Sequence, residues 1–242
     1  MSEYQYFATV YDRMMDNIPY EEWEQYILQL LFRYEVKPCA SIAELGCGTG
    51  VMTRLLARDG FLMTGIDLSK EMLQVAGMHD SSDIKYIQQD MRELNLPEKQ
   101  DVIISICDSM NYLLTDDDIY KTMYAVKNNL APGGIFIFDL KTEYFFENVL
   151  DGTTYKEDMG DFSYIWRNQY NKNEHIHKYY LKFNSDGRVI RERHRQRAFS
   201  AGDIKTAAIR AGFKKAVAYN AFTFAKPKRK SERIYIILRN EI

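Results

Sequence analysis

From Ser41 onward the chain alternates short apolar runs with helix-forming segments, and the run Ser41 to Leu45 leads straight into the turn Gly46-Cys47-Gly48-Thr49-Gly50. A strand, a glycine turn and a helix in that order open a βαβ unit, and repeating the unit gives a parallel sheet. Ser41 to Leu45, Phe61 to Ile66, Ile84 to Gln88, Val102 to Ile106 and Ile135 to Phe138 read as strands. Thr49 to Arg58, Ser69 to Gly77 and Asp116 to Leu130 read as helices. The last opens on an acidic cluster suited to a helix N-terminus and is followed by Pro132-Gly133-Gly134. Right-handed crossovers then bring the turns after the strands to one edge of the sheet, where open α/β proteins bind ligands.

The flanks read differently. Tyr4, Phe7, Ala8 and Tyr11 form one helical stripe and Trp23, Ile27, Leu30, Leu31 and Tyr34 a second, with Pro19 between them. After residue 150 the period drops to two. Phe162, Tyr164, Trp166, Asn168 and Tyr170 share one side of a strand, and His175, His177, Tyr179, Leu181 and Phe183 one side of the next. A third strand, Arg188 to Phe199, follows the turn Asn184-Ser185-Asp186-Gly187 and completes an antiparallel meander. Ser200 to Asp203 begin a helix ended by Gly212, and Phe213 to Phe224 and Arg233 to Leu238 supply two final strands.

The composition narrows the function classes. In 242 residues, 46% are hydrophobic and 27% charged, the balance of a globular protein, and the net charge of -2 disfavours a dominant attraction to nucleic acid or anionic membrane. No apolar run reaches the length of about 18 residues that a membrane span needs, and Met1-Ser2-Glu3-Tyr4 lacks the basic start of a secretion signal. The expected location is the cytoplasm. Cys39, Cys47 and Cys107 are scattered thiols that form neither a disulfide framework nor a metal site.

Gly46 and Gly48 allow a sharp turn and let a ligand lie against bare main chain. Asp67 ends the second strand 21 positions after Gly46, where a carboxylate reaches both hydroxyls of a ribose. Nicotinamide dinucleotides fit this spacing too, and an oxidoreductase or a non-catalytic cofactor-binding protein stands as an alternative. Dinucleotide turns read G-x-G-x-x-G, however, whereas Val51 occupies the place of that third glycine.

E-L-G-C-G-T-G, then G-I-D-L-S, then Q-Q-D-M, resembles the successive motifs of class I S-adenosylmethionine-dependent methyltransferases over nearly the whole chain. The resemblance implies a Rossmann-like seven-stranded sheet with helices on both faces. Residues 1–242 would be one domain: N-terminal helices over 1–40 forming a lid, a core over 41–150 and 200–242, and an antiparallel β cap over 151–199. It implies S-adenosyl-L-methionine as cofactor, with S-adenosyl-L-homocysteine as product. Gly46, Cys47 and Gly48 would face its methionine part and Glu44 would steady the loop. Asp67 would bind the ribose, Leu68 would pack on the adenine, and Asp90, with Met91 beside it, would accept from the adenine amino group. Cys107 would offer its carbonyl to the ammonium.

The stretch Cys107-Asp108-Ser109-Met110-Asn111-Tyr112-Leu113 and the N-terminal Phe7-Ala8-Thr9-Val10-Tyr11-Asp12 are similar to a bacterial branch thought to act on small molecules. That branch implies Tyr11 as lid residue, with Asn111 and Tyr112 near the substrate. Arg191, Arg193, Arg195 and Arg197 recur at period two and give a guanidinium stripe suited to a carboxylate or phosphate, with Arg195 the candidate substrate ligand. Methyl transfer demands mainly positioning, and the spacing of His175, His177 and His194 nominates no base. The five basic residues from Lys226 to Arg233 read as an exposed hairpin and motivate the alternative of an RNA or protein methyltransferase. Against that alternative, no N-P-P-Y or D-P-P-Y tetrapeptide is present.

Overall fold

The computed structural model describes residues 11, 13–14, 19–79, 84–185 and 187–240. Its strands are β1 (Ser41–Leu45), β2 (Leu62–Asp67), β3 (Lys85–Gln88), β4 (Gln100–Ser105), β5 (Leu130–Lys141), β6 (Thr154–Asp158), β7 (Phe162–Asn171), β8 (Ile176–Ser185), β9 (Arg188–Arg197), β10 (Ala216–Asn220) and β11 (Arg233–Arg239). The longer helices are α1 (Tyr20–Arg33), α2 (Val51–Arg58), α3 (Lys70–Met78), α4 (Asp116–Asn129) and α5 (Ala201–Arg210).

Seven strands form one sheet in the order β10-β11-β5-β4-β1-β2-β3. Strands β1 to β5 run parallel, and β11 enters antiparallel beside β5. Period two along β5 divides the core. Ile135 and Ile137 face α1 and α2 through Ile27, Leu30 and Leu56, while Phe136 and Phe138 face α4 and α5 through Met123, Val126, Ile204 and Ala208. Burying both faces is what makes the parallel strands read as unbroken apolar runs. α4 and α5 each begin with a reciprocal capping box, Thr115 with Asp118 and Ser200 with Asp203.

The insert is a separate sheet in the order β6-β7-β8-β9. It has four strands, one more than the periodicity predicts. β6 is exposed along its whole length, so no burial alternation marks it. β8 and β9 pair as far as Ser185 opposite Arg188, and Gly187 beside Arg188 has φ +72°. The inward positions of the sheet are the expected ones except His175, which precedes β8 and is exposed, and Phe162, Tyr164, Tyr179, Leu181, Phe183 and Ile190 form a small core of their own. Tyr11 and Met14 pack against it, and Arg13 pairs with Asp161 at 2.7 Å. The proposed lid stripe of Tyr4, Phe7 and Ala8, and Asp12, lie outside the described residues.

Candidate active site

β1, β2 and β4 end at one edge of the large sheet, and the inward face of the insert stands opposite. Between them lies a cavity of about 1290 Å³, more than the roughly 300–1,000 Å³ of a common small-molecule pocket.

The glycine turn forms one wall. Gly46 and Gly48 have φ of +71° and +56°. A Cβ on Gly46 would stand 2.6 Å from Ser109 Oγ, so packing alone demands glycine there. A Cβ on Gly48 would meet nothing within 4 Å, because that stretch of main chain opens on the cavity. The Gly48 N–H donates to Asp67 Oδ2 at 2.8 Å, and the Ser69 N–H to Oδ1 at 2.8 Å. Burial pushes the Asp67 carboxyl up, against the lowering effect of these two donors.

Glu44 lies beneath the turn, 3% exposed, and accepts from Thr53 Oγ1 on α2. Burial raises its carboxyl to about 7, with Thr53 opposing the shift and Asp67 adding to it. Cys47 is buried, and its N–H, like that of Gly46, donates to Ile66 O, which ties the turn to β2. Leu68 is 64% exposed at the rim, a bare apolar surface beside Asp67. Met91 lines the cavity next to Gly46.

Asp90 borders the cavity, but both of its oxygens are taken up by the Arg92 guanidinium, which also reaches Asp118 at 2.9 Å. That fork holds the Asp90 carboxyl below its ordinary range. The expected acceptor for an adenine amino group is therefore already engaged, by a cation only two residues away.

Cys107 and Asp108 follow β4 with φ of +56° and +55°, two consecutive non-glycine residues in the left-handed region, which costs about 1–2 kcal/mol each. A buried ionic cluster holds them. The Asp108 carboxylate meets Arg233 Nη2 at 2.9 Å, Lys141 Nζ at 3.0 Å and Gln196 Nε2 at 2.7 Å, while its N–H donates to Asp139. Arg233 Nη1 also bonds Asp139, and the guanidinium stacks over Trp23 at 4.6 Å. Burial pushes Asp108 up, yet Lys141 and Arg233 outweigh it and hold it low; Asp139, burial dominating, is raised to about 6. The sequence reading missed this cluster and placed Arg233 in an exposed hairpin, although residues 226–230 are indeed exposed. The available signal was Asp139 interrupting the apolar run of β5.

Two substrate candidates stand elsewhere than expected. Asn111 is fully buried and lies outside the cavity lining. Its Nδ2 donates to Lys141 O and Arg197 O, and its Oδ1 accepts from Lys141 N, so it latches β5 to β9. Arg195 points outward, as do Arg191 and Arg193. The period of β9 gives the cavity Glu192, His194 and Gln196 instead. Arg197 turns back to pair with Asp116 at 2.7 Å.

Tyr11 and Tyr112 do line the cavity. Tyr112 Oη bonds Tyr179 Oη and lies 3.2 Å from His194 Nδ1, and the His194 ring stacks on Tyr179 at 4.5 Å. Burial lowers both His194 and His177 to about 4, so each imidazole is neutral near pH 7. His177 Nε2 donates to Asn168 Oδ1 at 3.1 Å, which also accepts from Trp166 Nε1 at 2.9 Å. His175 is exposed and pairs with Glu143 away from the cavity. Among the described residues no cluster of His, Cys, Asp and Glu has the arrangement of a metal site.

The model of a methyltransferase domain matches residues 42–134. Over 239 residues the chain is 34% identical to YqeM of Bacillus subtilis (strain 168), which carries the name of a methyltransferase, covering 96% of this chain and 95% of that one. The chain belongs to the S-adenosylmethionine-dependent methyltransferases. A crystal structure of such an enzyme from Clostridium acetobutylicum ATCC 824 superposes with a TM-score of 0.84 at 28% identity over 99% of both chains. CalS10, an amino pentose methyltransferase from Micromonospora echinaspora with its cofactor bound, shares the fold at a TM-score of 0.75 and 17% identity over 95% and 96% of the two chains. The cofactor of this methyltransferase is S-adenosylmethionine, and the nicotinamide alternative falls away. No helix among the described residues is long and apolar enough to cross a membrane.

Proposed function

We propose that this methyltransferase binds its cofactor along the Gly46–Gly50 turn and Asp67, and methylates a small molecule held against the inward face of the insert. The observation that carries the reading is one continuous cavity with the bare main chain of Gly48 on one side and Tyr112, His177 and His194 on the other. The volume of about 1290 Å³ suits two ligands side by side. When bound, S-adenosylmethionine supplies a methyl group already activated by its sulfonium.

The chain's own residues then bind, orient and exclude water. Asp67 keeps lone pairs for a ribose while fixing Gly48, Leu68 offers an apolar face, and Glu44 braces the turn through Thr53. Tyr11, packed on the core of the insert, covers the cavity from the N-terminal side. His177 and His194, neutral near pH 7, line the cavity without adding positive charge beside a cationic cofactor. The amino pentose acceptor named for CalS10 supports a small polar acceptor here as well. Three free cysteines, one of them exposed, support a reducing cytoplasmic setting.

Incubation with methyl-labelled cofactor and fractionated metabolites tests the proposal. Labelled small-molecule product in excess of enzyme is expected, and label recovered only in RNA or protein overturns it. His194→Phe, which preserves the stack on Tyr179, should lower kcat/KM for the acceptor at least tenfold, about 1.4 kcal/mol, while leaving cofactor affinity within twofold.

A further inference from the structure

The outward face of the insert is a grid of cations with no assigned task. Three rows cross its strands. Lys182 stands directly opposite Arg191, Arg167 and Arg193 flank Tyr180, and Lys178 stands opposite Arg195. No outward position of β7, β8 or β9 carries a carboxylate, and the edge strand β6 adds Lys156 and one carboxylate, Asp158, opposite Ser163. Lys178 has a long contact of 3.5 Å to Glu174 in the adjoining turn. Like charges set directly opposite across strands destabilise a sheet, and an ordinary solvated face intersperses both signs. Here the repulsion persists in a chain whose net charge is only -2.

We propose that this face docks single-stranded nucleic acid, through its phosphates on the cation rows and a base on Tyr180. The surface is a sheet rather than a groove, and Tyr180, 40% exposed, lies at its centre between two arginines. A ring among guanidinium groups on an open sheet is the arrangement on which splayed bases stack, whereas a duplex keeps its bases inside. Side chains at i and i+2 along β9 stand about 6.6–6.8 Å apart, so a strand of phosphates meets successive arginines without bending. A second copy of the chain does not suit this face, because a two-fold contact centred there sets the grid against itself. The face lies on the side of the sheet turned away from the cavity, so the docked strand is an anchor and not the methyl acceptor.

Fluorescence anisotropy with a labelled 12-mer RNA, the same sequence as DNA, and the RNA duplex tests this at several salt concentrations. Binding of the single strands is expected, with log affinity falling against log salt at a slope of about -3 for four or five phosphate contacts. The relative affinity of RNA and DNA then identifies the source of the strand. Lys182→Glu/Arg191→Glu/Arg193→Glu should weaken binding at least tenfold with cofactor affinity unchanged. Lys228→Glu/Arg229→Glu/Lys230→Glu, in the other basic segment, should not. If charge reversal unfolds the insert, Arg191→Gln/Arg193→Gln/Arg195→Gln carries the same expectation. Absence of binding at 50 mM salt overturns the proposal. So do equal loss in the 228–230 variant, preference for the duplex, or binding confined to anionic lipid vesicles.

Discussion

The Asp67 carboxylate accepts the main-chain N–H of Gly48 at 2.8 Å, joining the end of β2 to the turn after β1. The residue expected to hold the ribose thus also sets the shape of the loop beside it. Asp67→Ala should lower S-adenosylmethionine affinity about 10- to 100-fold, the equivalent of one hydrogen bond to a charged group at about 1.5–3 kcal/mol. Calorimetry measures it, and an unchanged Kd would restrict Asp67 to bracing the loop.

The two glycines of the turn should respond differently to alanine. Gly46→Ala adds a clash at 2.6 Å to a left-handed backbone, whereas Gly48→Ala adds only the backbone cost of about 1–2 kcal/mol and projects a methyl into the cavity. Denaturant unfolding should show the larger loss for Gly46→Ala. Cofactor titration should show a loss beyond that stability cost for Gly48→Ala.

Glu44 gives the apo protein a pH dependence of known sign. Folding raises its carboxyl from 4.5 to about 7, chiefly by burial, so the contribution is fully present below pH 4.5 and is lost as pH rises through about 7. Glu44→Gln removes this loss and still accepts from Thr53. Its stability relative to the parent should rise across that window by up to about 3 kcal/mol, as read by urea unfolding at fixed pH steps. A difference that stays flat with pH contradicts the assignment.

Arg233 neutralises two buried carboxylates, Asp108 and Asp139. Arg233→Met should cost about 3–5 kcal/mol, because it strands the Asp139 charge and leaves Asp108 with Lys141 as its remaining cation. Adding Asp139→Asn should recover part of that loss. Equal stability of the single and double variants would show that Asp139 carries no charge in the fold.

Much of the fold was legible because it rests on local periods. The alternation of strand and helix, the sides of β7 and β8, the acidic start of α4 and the start of α5 at Ser200 all depend on residues within one element or turn. β6 was not legible, since an edge strand exposed on both sides has no apolar rhythm. At the site, Gly46, Gly48, Asp67 and Glu44 lie together as their motif implied. Asp90 does not stand open, because the Arg92 fork is set by side-chain rotamers that no motif records.

By itself, the sequence determined that a strand, a left-handed glycine turn and a helix would stand beside the acidic end of the next strand, because chain geometry over some twenty residues leaves little freedom. Only the tertiary structure decided that Asn111 is a latch, that the arginines of β9 face away from the cavity, and that Arg233 reaches Asp108 across 125 positions of chain. Those outcomes depend on which side of one sheet docks against the edge of another. Period two fixes that two faces alternate, but not which of them is buried.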